Sequence, residues 1–318
     1  MNINQNGERE IWIKELISPI GDDLLSGAAE LALQAINIFQ SILSTANTSK
    51  PEELRQELKL AAQGLLDAQP AMASLFNLAN AVLIAANNAP SVSEIKTQCQ
   101  IILDQFERFL CDSVAKIADL AFDLIPPGEM VFAYSFSSTV VSCLLNARAK
   151  GRYFRVACSE SRPSMEGRKL ASRLAAGGIE VISTFDSAMG MLLPSCSVAF
   201  MGCDCVGSPG LVNKTGSLLL ALACHEMKIP LYGLCDTAKI VDDERFFEFE
   251  NHQRPGAEVW ENAPTGISIL NRQFELIPFD YITGLITEQG LFTERDLATY
   301  LSKMPIHHEL QSQAIANT

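Results

Sequence analysis

The chain has 318 residues, 48% hydrophobic and 19% charged, a globular composition with room for one large or two ordinary domains. Its formal charge of −13 gives phosphate backbones little to attract, and Arg162, Arg168 and Lys169 form only a small basic patch, so direct nucleic-acid binding is not expected. No apolar run reaches about 18 residues, so no membrane-spanning helix is expected.

The opening stretch MNINQNGERE is polar and lacks the pattern of a secretory leader. Beyond it the first third reads as helical. Glu10 to Ile17 carries apolar residues at helical spacing, and Leu24 to Leu43 has a wide apolar set. Ser49 to Glu52 fits a capping box ahead of LRQELKLAAQGLL, and Ser91 to Glu94 fits another. The second opens a long amphipathic run whose expected buried stripe is Ile95, Cys99, Ile102, Phe106, Phe109, Val114, Ile117, Leu120 and Leu124.

Pro126-Pro127-Gly128 must end that helix. After it, the apolar runs MVFAYS, YFRVACS, IEVIS, VAFMGCD and PLYGLCD alternate with helix-like segments. Strands apolar on both faces, separated by helices, predict a Rossmann-like parallel sheet flanked by helices. The fold class is therefore α/β: a helical N-terminal domain (1–125), a Rossmann-like ligand-binding domain (126–304) and a polar tail (305–318). The nine cysteines form no C-x-x-C pair and most sit in apolar runs, which fits buried reduced thiols and a cytoplasmic location.

Ligands of open parallel sheets bind beyond the carboxyl ends of the strands, where helix N-termini expose N–H groups. The residues that follow each strand are therefore the candidates. Ser135, Ser137 and Ser138 follow the first strand. Glu160-Ser161-Arg162-Pro163 and Arg168 follow the second. Asp204, then a Gly-Ser-Pro-Gly turn, then Asn213 and Lys214, follow the fourth, and Lys239 follows the fifth. Arg162, Arg168, Lys214 and Lys239 supply charge, Ser137 and Ser138 supply hydroxyls, and Asp204 is the carboxylate placed to hold a hydroxyl or move a proton. A phosphorylated sugar or nucleotide suits that set. Each also has a structural reading: serines as N-caps, Arg162 in a surface ion pair, Asp204 capping a turn or paired with Lys214. Cys203 and Cys205 flank Asp204 and, in strand alternation, point away from it, so no metal role is expected. His225 reads as a packing or surface residue, and His307 and His308 carry no assigned chemistry. The chain has no G-x-G-x-x-G or Walker sequence, and no cofactor is expected.

Several strings resemble the translation initiation factor 2B alpha/beta/delta family. Glu160-Ser161-Arg162-Pro163 with Glu166-Gly167-Arg168 resembles its E-x-R-P-x-x-E-G-R stretch. Gly178-Ile179 with Asp186-Ser187-Ala188 resembles its G-I-x-V…D-S-A segment, and Gly202-Cys203-Asp204 with Asn213-Lys214-Thr215-Gly216 its G-A-D…N-K-x-G signature. Lys239 sits where the family often has a lysine. Asn271, Phe274-Glu275, Pro278 and Thr287-Glu288-Gly290 resemble its C-terminal ending. The resemblance spans about residues 130–292 and implies a helical N-terminal domain and a dimerising Rossmann-like domain.

One branch of the family comprises regulatory subunits of an exchange factor. The other comprises isomerases of methylthioribose 1-phosphate and ribose 1,5-bisphosphate. The isomerases' aspartate corresponds to Asp204, but their cysteine falls at Ser135, and their phosphate-gripping R-G-A reads Ser26-Gly27-Ala28. The resemblance thus implies a regulatory protein that binds a sugar phosphate or nucleotide without turnover. The alternatives are an aldose–ketose isomerase with a variant site and a dimeric scaffold with a vestigial pocket. The partners it implies are a small phosphorylated ligand, a homodimer or higher homo-oligomer, and related subunits.

Overall fold

The computed structural model describes residues 3–23, 27–70, 72–247 and 253–310. Two compact units emerge. One comprises Met1–Asp112, Ala238–Phe246 and Lys303–Thr318; the other comprises Ser113–Thr237 and Phe247–Ser302.

The first unit is helical. It contains α1 (Ile3–Asp22), α2 (Ala28–Thr45), α3 (Pro51–Ala68), α4 (Ala73–Asn88) and the first part of α5 (Val92–Phe122). Ile13, Ile17 and Ile20 of α1, Leu31, Phe39 and Ile42 of α2, and Leu54, Leu58 and Leu65 of α3 are buried at helical spacing. Ser91 caps α5 as its sequence suggests, accepting from the Glu94 amide at 3.3 Å. Ser49 does not cap α3. Pro51 occupies the first turn and Lys50 the cap, while the Thr48 hydroxyl accepts from the Lys50 amide and donates to Glu53. The buried stripe of α5 also differs from the one expected. Leu103, Leu110 and Ala121 are buried and Leu120 is exposed, because two apolar stripes lie side by side and hydropathy alone does not choose between them.

Two later segments return to this unit through asparagines of α4. The Asn77 amide donates to the Ala238 and Ile240 carbonyls, both at 2.7 Å. Asn80 donates to the Pro305 carbonyl and accepts from the His307 amide. Residues 305–310 are thereby anchored, with His307 and Leu310 buried; the rest of the polar tail, 311–318, lies outside the described residues. The His307 ring, its proton affinity lowered by burial and by His308, stacks on His308 at 4.3 Å.

The second unit is α/β. In chain order it holds β1 (Met130–Tyr134), α6 (Ser138–Ala149), β2 (Arg155–Ser159), α7 (Glu166–Ala176), β3 (Glu180–Thr184), α8 (Met189–Leu192), β4 (Cys196–Gly202), β5 (Cys205–Gly207), β6 (Gly210–Lys214), α9 (Ser217–Met227), β7 (Leu231–Leu234), β8 (Phe274–Ile277), β9 (Gly284–Thr287), β10 (Gly290–Phe292) and α10 (Glu294–Leu301). Its seven-stranded sheet runs β10-β9-β7-β4-β1-β2-β3, parallel except for β10. Val131 pairs with both Val156 and Val198, and the strands bury Val131, Ala133, Val156, Cys158, Val198 and Phe200 against Leu144, Leu170 and Leu174 of the covering helices. The chain order reverses between β1 and β4, and a doubly wound sheet opens its crevice at that reversal.

The hairpin β5–β6 and strand β8 form a separate antiparallel sheet that the apolar runs do not announce. It corrects the strand alternation assumed for Cys203 and Cys205: β4 ends at Gly202, and pairing resumes only at Cys205 opposite Val212.

All nine cysteines are free thiols, and Cys111 is the exposed one. Burial pushes the Cys99, Cys143 and Cys224 thiols up to about 12 and Cys196 to about 11. A colorimetric thiol titration of the native protein is expected to show one fast-reacting group, absent in Cys111→Ser, with the others reacting only after denaturation.

Candidate functional site

β1 ends at Tyr134, and the next residue, Ser135, has φ +59°, a left-handed conformation uncommon outside glycine. The turn directs its hydroxyl to Glu166, to which it donates at 2.6 Å. Glu166 opens α7. Its other oxygen accepts from Ser164 at 3.1 Å and from the Lys214 ammonium at 3.3 Å. Lys214, the last residue of β6 and 4% exposed, also donates to Ser164 at 2.6 Å. A buried ammonium costs several kcal/mol unless it is paired and hydrogen-bonded, and Glu166 and Ser164 supply both. Ser135, Ser164, Glu166 and Lys214 thus form one charge-compensated cluster on the carboxyl rim of the sheet.

The loop before α7 is fastened by Asp186. One carboxylate oxygen accepts from the Ser159 hydroxyl and the Ser161 amide, and the other accepts from the Arg162 amide, at 2.7–2.8 Å. Gly167 lets α7 sit on the end of β2: a Cβ there would lie 1.7 Å from the Ser159 carbonyl oxygen. The close approach brings Glu166 to the rim.

The start of α9 is equally constrained. Gly216 has φ +104°, and a Cβ there would meet the Tyr134 hydroxyl at 1.9 Å. Tyr134 donates that hydroxyl to the Thr215 carbonyl at 2.7 Å, and burial raises its pKa. Glu275 accepts from the Gly216 and Leu218 amides at 2.7 and 2.8 Å, so these helix-start donors are already occupied. Glu275→Ala is expected to cost about 1–2 kcal/mol, read as a lower urea midpoint.

The sequence candidates divide on this frame. Ser135 and Lys214 come together through Glu166. Asn213 is buried and donates to Ser217, which donates back to the Lys214 carbonyl, so it holds the strand end beside the cluster. Ser137 is the N-cap of α6, accepting from the Val140 amide at 3.3 Å, and a Cβ on Gly202 would lie 2.6 Å from its Cβ. The ends of β1 and β4 are therefore in contact. Asp204 is half-buried between β4 and β5, its amide donating to the Val212 carbonyl at 2.8 Å. Ser138 is exposed on the first turn of α6. Arg168 pairs with Glu160 at 2.7 Å with its side chain 64% exposed. Arg162 lines a separate cleft and donates to the Val259 carbonyl at 3.4 Å. Lys239 is buried in the turn Thr237–Lys239 and falls in the helical unit. Ser26 of the Ser26-Gly27-Ala28 stretch lies outside the described residues.

Glu166, Asp186 and Glu275 belong to the family-like motifs but do not directly follow a strand, so the strand-end rule does not single them out. His225 stacks edge-on against Tyr281 at 5.5 Å. Among the described residues, no group of His, Cys, Asp and Glu is arranged to hold a metal ion.

A doubly wound sheet with a helical N-terminal part and a polar carboxyl rim places the chain in the Rossmann-like α/β class. It belongs to the initiation factor 2 subunit family, whose model matches residues 24–294. A Pyrococcus abyssi protein named as eIF-2B subunit 2-like is 30% identical over 280 residues, covering 88% of this chain and 95% of its own length. A ribose 1,5-bisphosphate isomerase of Archaeoglobus fulgidus is 29% identical over 268 residues, covering 83% and 84%. The crystal structure of a Pyrococcus horikoshii OT3 translation initiation factor eIF-2B matches with a TM-score of 0.77 at 28% identity, covering 90% of this chain and 98% of that one. The relatives thus include both initiation-factor-like proteins and sugar-phosphate isomerases.

Proposed function

We propose that this protein is an initiation-factor-2B-like regulator that binds a sugar phosphate or nucleotide at the carboxyl rim of its sheet without converting it. The observation that carries this reading is Ser135. At the position where the resemblance puts the isomerases' cysteine, its hydroxyl donates at 2.6 Å to the Glu166 carboxylate. An alcohol is far less acidic than a thiol, and a carboxylate against it further disfavours an alkoxide. Proton transfer through this group is therefore suppressed, while the rim keeps Asp204, Asn213 and Lys214 as polar groups for recognition. Ser137 and Ser138 contribute hydroxyls. The protein works in the cytoplasm as a homodimer or with related subunits.

A second reading is an aldose–ketose isomerase, with Asp204 moving the proton. It is favoured by the place of Asp204, just beyond β4 at the reversal of strand order.

Proton NMR with ribose 1,5-bisphosphate and methylthioribose 1-phosphate separates the two. The expected result is no conversion, with a rise in melting temperature on binding. Conversion that Asp204→Asn abolishes would overturn the non-catalytic reading. If no ligand changes the melting temperature, a scaffold role takes its place.

A further inference from the structure

We propose that the α/β unit carries a second anion site: a cleft of about 610 Å³, organised by Arg162 and Arg272, that takes a small phosphate monoester with an apolar body. Neither Asp204 nor Lys214 lines this cleft, which adjoins the rim cluster at Pro163 and Thr215. Its volume falls within the range of roughly 300–1,000 Å³ common to small-molecule sites.

Two guanidiniums line it without a carboxylate partner among the described residues. Arg162 is exposed and held by its backbone on Asp186, and its guanidinium donates at 3.4 Å to the Val259 carbonyl. Arg272 is held by its own carbonyl, which accepts the Thr215 hydroxyl at 2.6 Å. Its Nε is buried with no hydrogen-bond partner among the described residues. That Nε is shielded from the cleft, so a ligand there would meet the terminal nitrogens of the guanidinium.

Among the described residues, the nearby carboxylates are engaged elsewhere. Glu275 lines the cleft but is engaged by the Gly216 and Leu218 amides, and Glu258 is engaged by Arg254 and Asn271. Phe247, Phe274 and Leu276 give the cleft an apolar wall. Planar guanidinium forks match phosphate oxygens, and the wall suits a flat or aliphatic body.

The test is calorimetric titration of the full chain with phenyl phosphate, inorganic phosphate and benzyl alcohol. Phenyl phosphate is expected to bind, inorganic phosphate to bind more weakly, and the alcohol not to bind. Arg162→Gln and Arg272→Gln should each weaken phenyl phosphate by about tenfold to a hundredfold. Affinity should rise as pH passes about 6, where a phosphate monoester loses its second proton. Asp204→Asn should leave this binding unchanged, which separates its outcome from that of the rim site. Arg162 is exposed, so its variant is expected to fold even where the Arg272 variant does not.

The proposal fails if roughly 5 mM phenyl phosphate gives no heat, if both glutamine variants bind as the parent does, or if Asp204→Asn abolishes binding. It also fails if Arg162→Gln changes the sedimentation coefficient while phosphate binding is undetectable, since a second copy would then cover the guanidiniums.

Discussion

Gly167→Ala is expected to lower stability by about 3–5 kcal/mol, or to prevent folding of the α/β unit altogether. The added Cβ would fall 1.7 Å from the Ser159 carbonyl oxygen and 2.8 Å from its carbon. Both are backbone atoms of a strand that pairs with β1 and β3, so no flexible side-chain end can swing aside. Relief would require α7 to lift from β2, pulling Glu166 from Ser135 and Lys214. Urea unfolding of the variant measures the loss. A midpoint close to that of the parent would mean that α7 is free to shift, and the geometry of the rim cluster would then need revision.

Glu166→Ala is expected to cost about 2–3 kcal/mol. Removing one partner of a fully buried pair costs about 3–5 kcal/mol, and the partial exposure of Glu166 reduces that by solvent screening. Its side chain is 29% exposed, against 5% for Lys214. The alanine leaves the buried ammonium with Ser164 alone and also removes the acceptor of the Ser135 hydroxyl. Lys214→Met should cost less, because the carboxylate left behind reaches solvent. Combining the two should recover part of the loss, since an apolar replacement of both charges leaves none buried. A double-mutant cycle by urea denaturation gives the coupling directly, and additive losses would show that the two charges do not sense each other.

The parallel sheet was legible because its strands are buried on both faces and read as apolar runs, from MVFAY to LYGL. The antiparallel pair β5–β6 was not. β5 spans only three residues, and the Gly-Ser-Pro-Gly tip dominates the local signal, so the segment reads as a turn. Of the candidate site, the strand-end rule accounts for Ser135, because the topology puts the ends of the parallel strands on one rim; Asn213 and Lys214 reach the cluster from β6 of the separate antiparallel sheet. The rule could not show that the acceptor for both Ser135 and Lys214 would be Glu166, since that depends on the left-handed turn at Ser135 and the close approach at Gly167. Arg162 and Arg168 look alike in sequence, yet one lines a cleft and the other makes a surface ion pair; the Asp186 clamp holds the backbone at Ser161 and Arg162 and does not extend to Arg168.

The asparagines of α4 have a consequence for biosynthesis. Asn77 awaits carbonyls of residues 238 and 240, and Asn80 awaits residues 305 and 307. Although most of the helical bundle leaves the ribosome first, its last partners are translated only after every strand of the sheet. The N-terminal bundle therefore closes only once residues 305–307 have been made, and a nascent chain arrested before residue 305 would present α4 with an unoccupied Asn80.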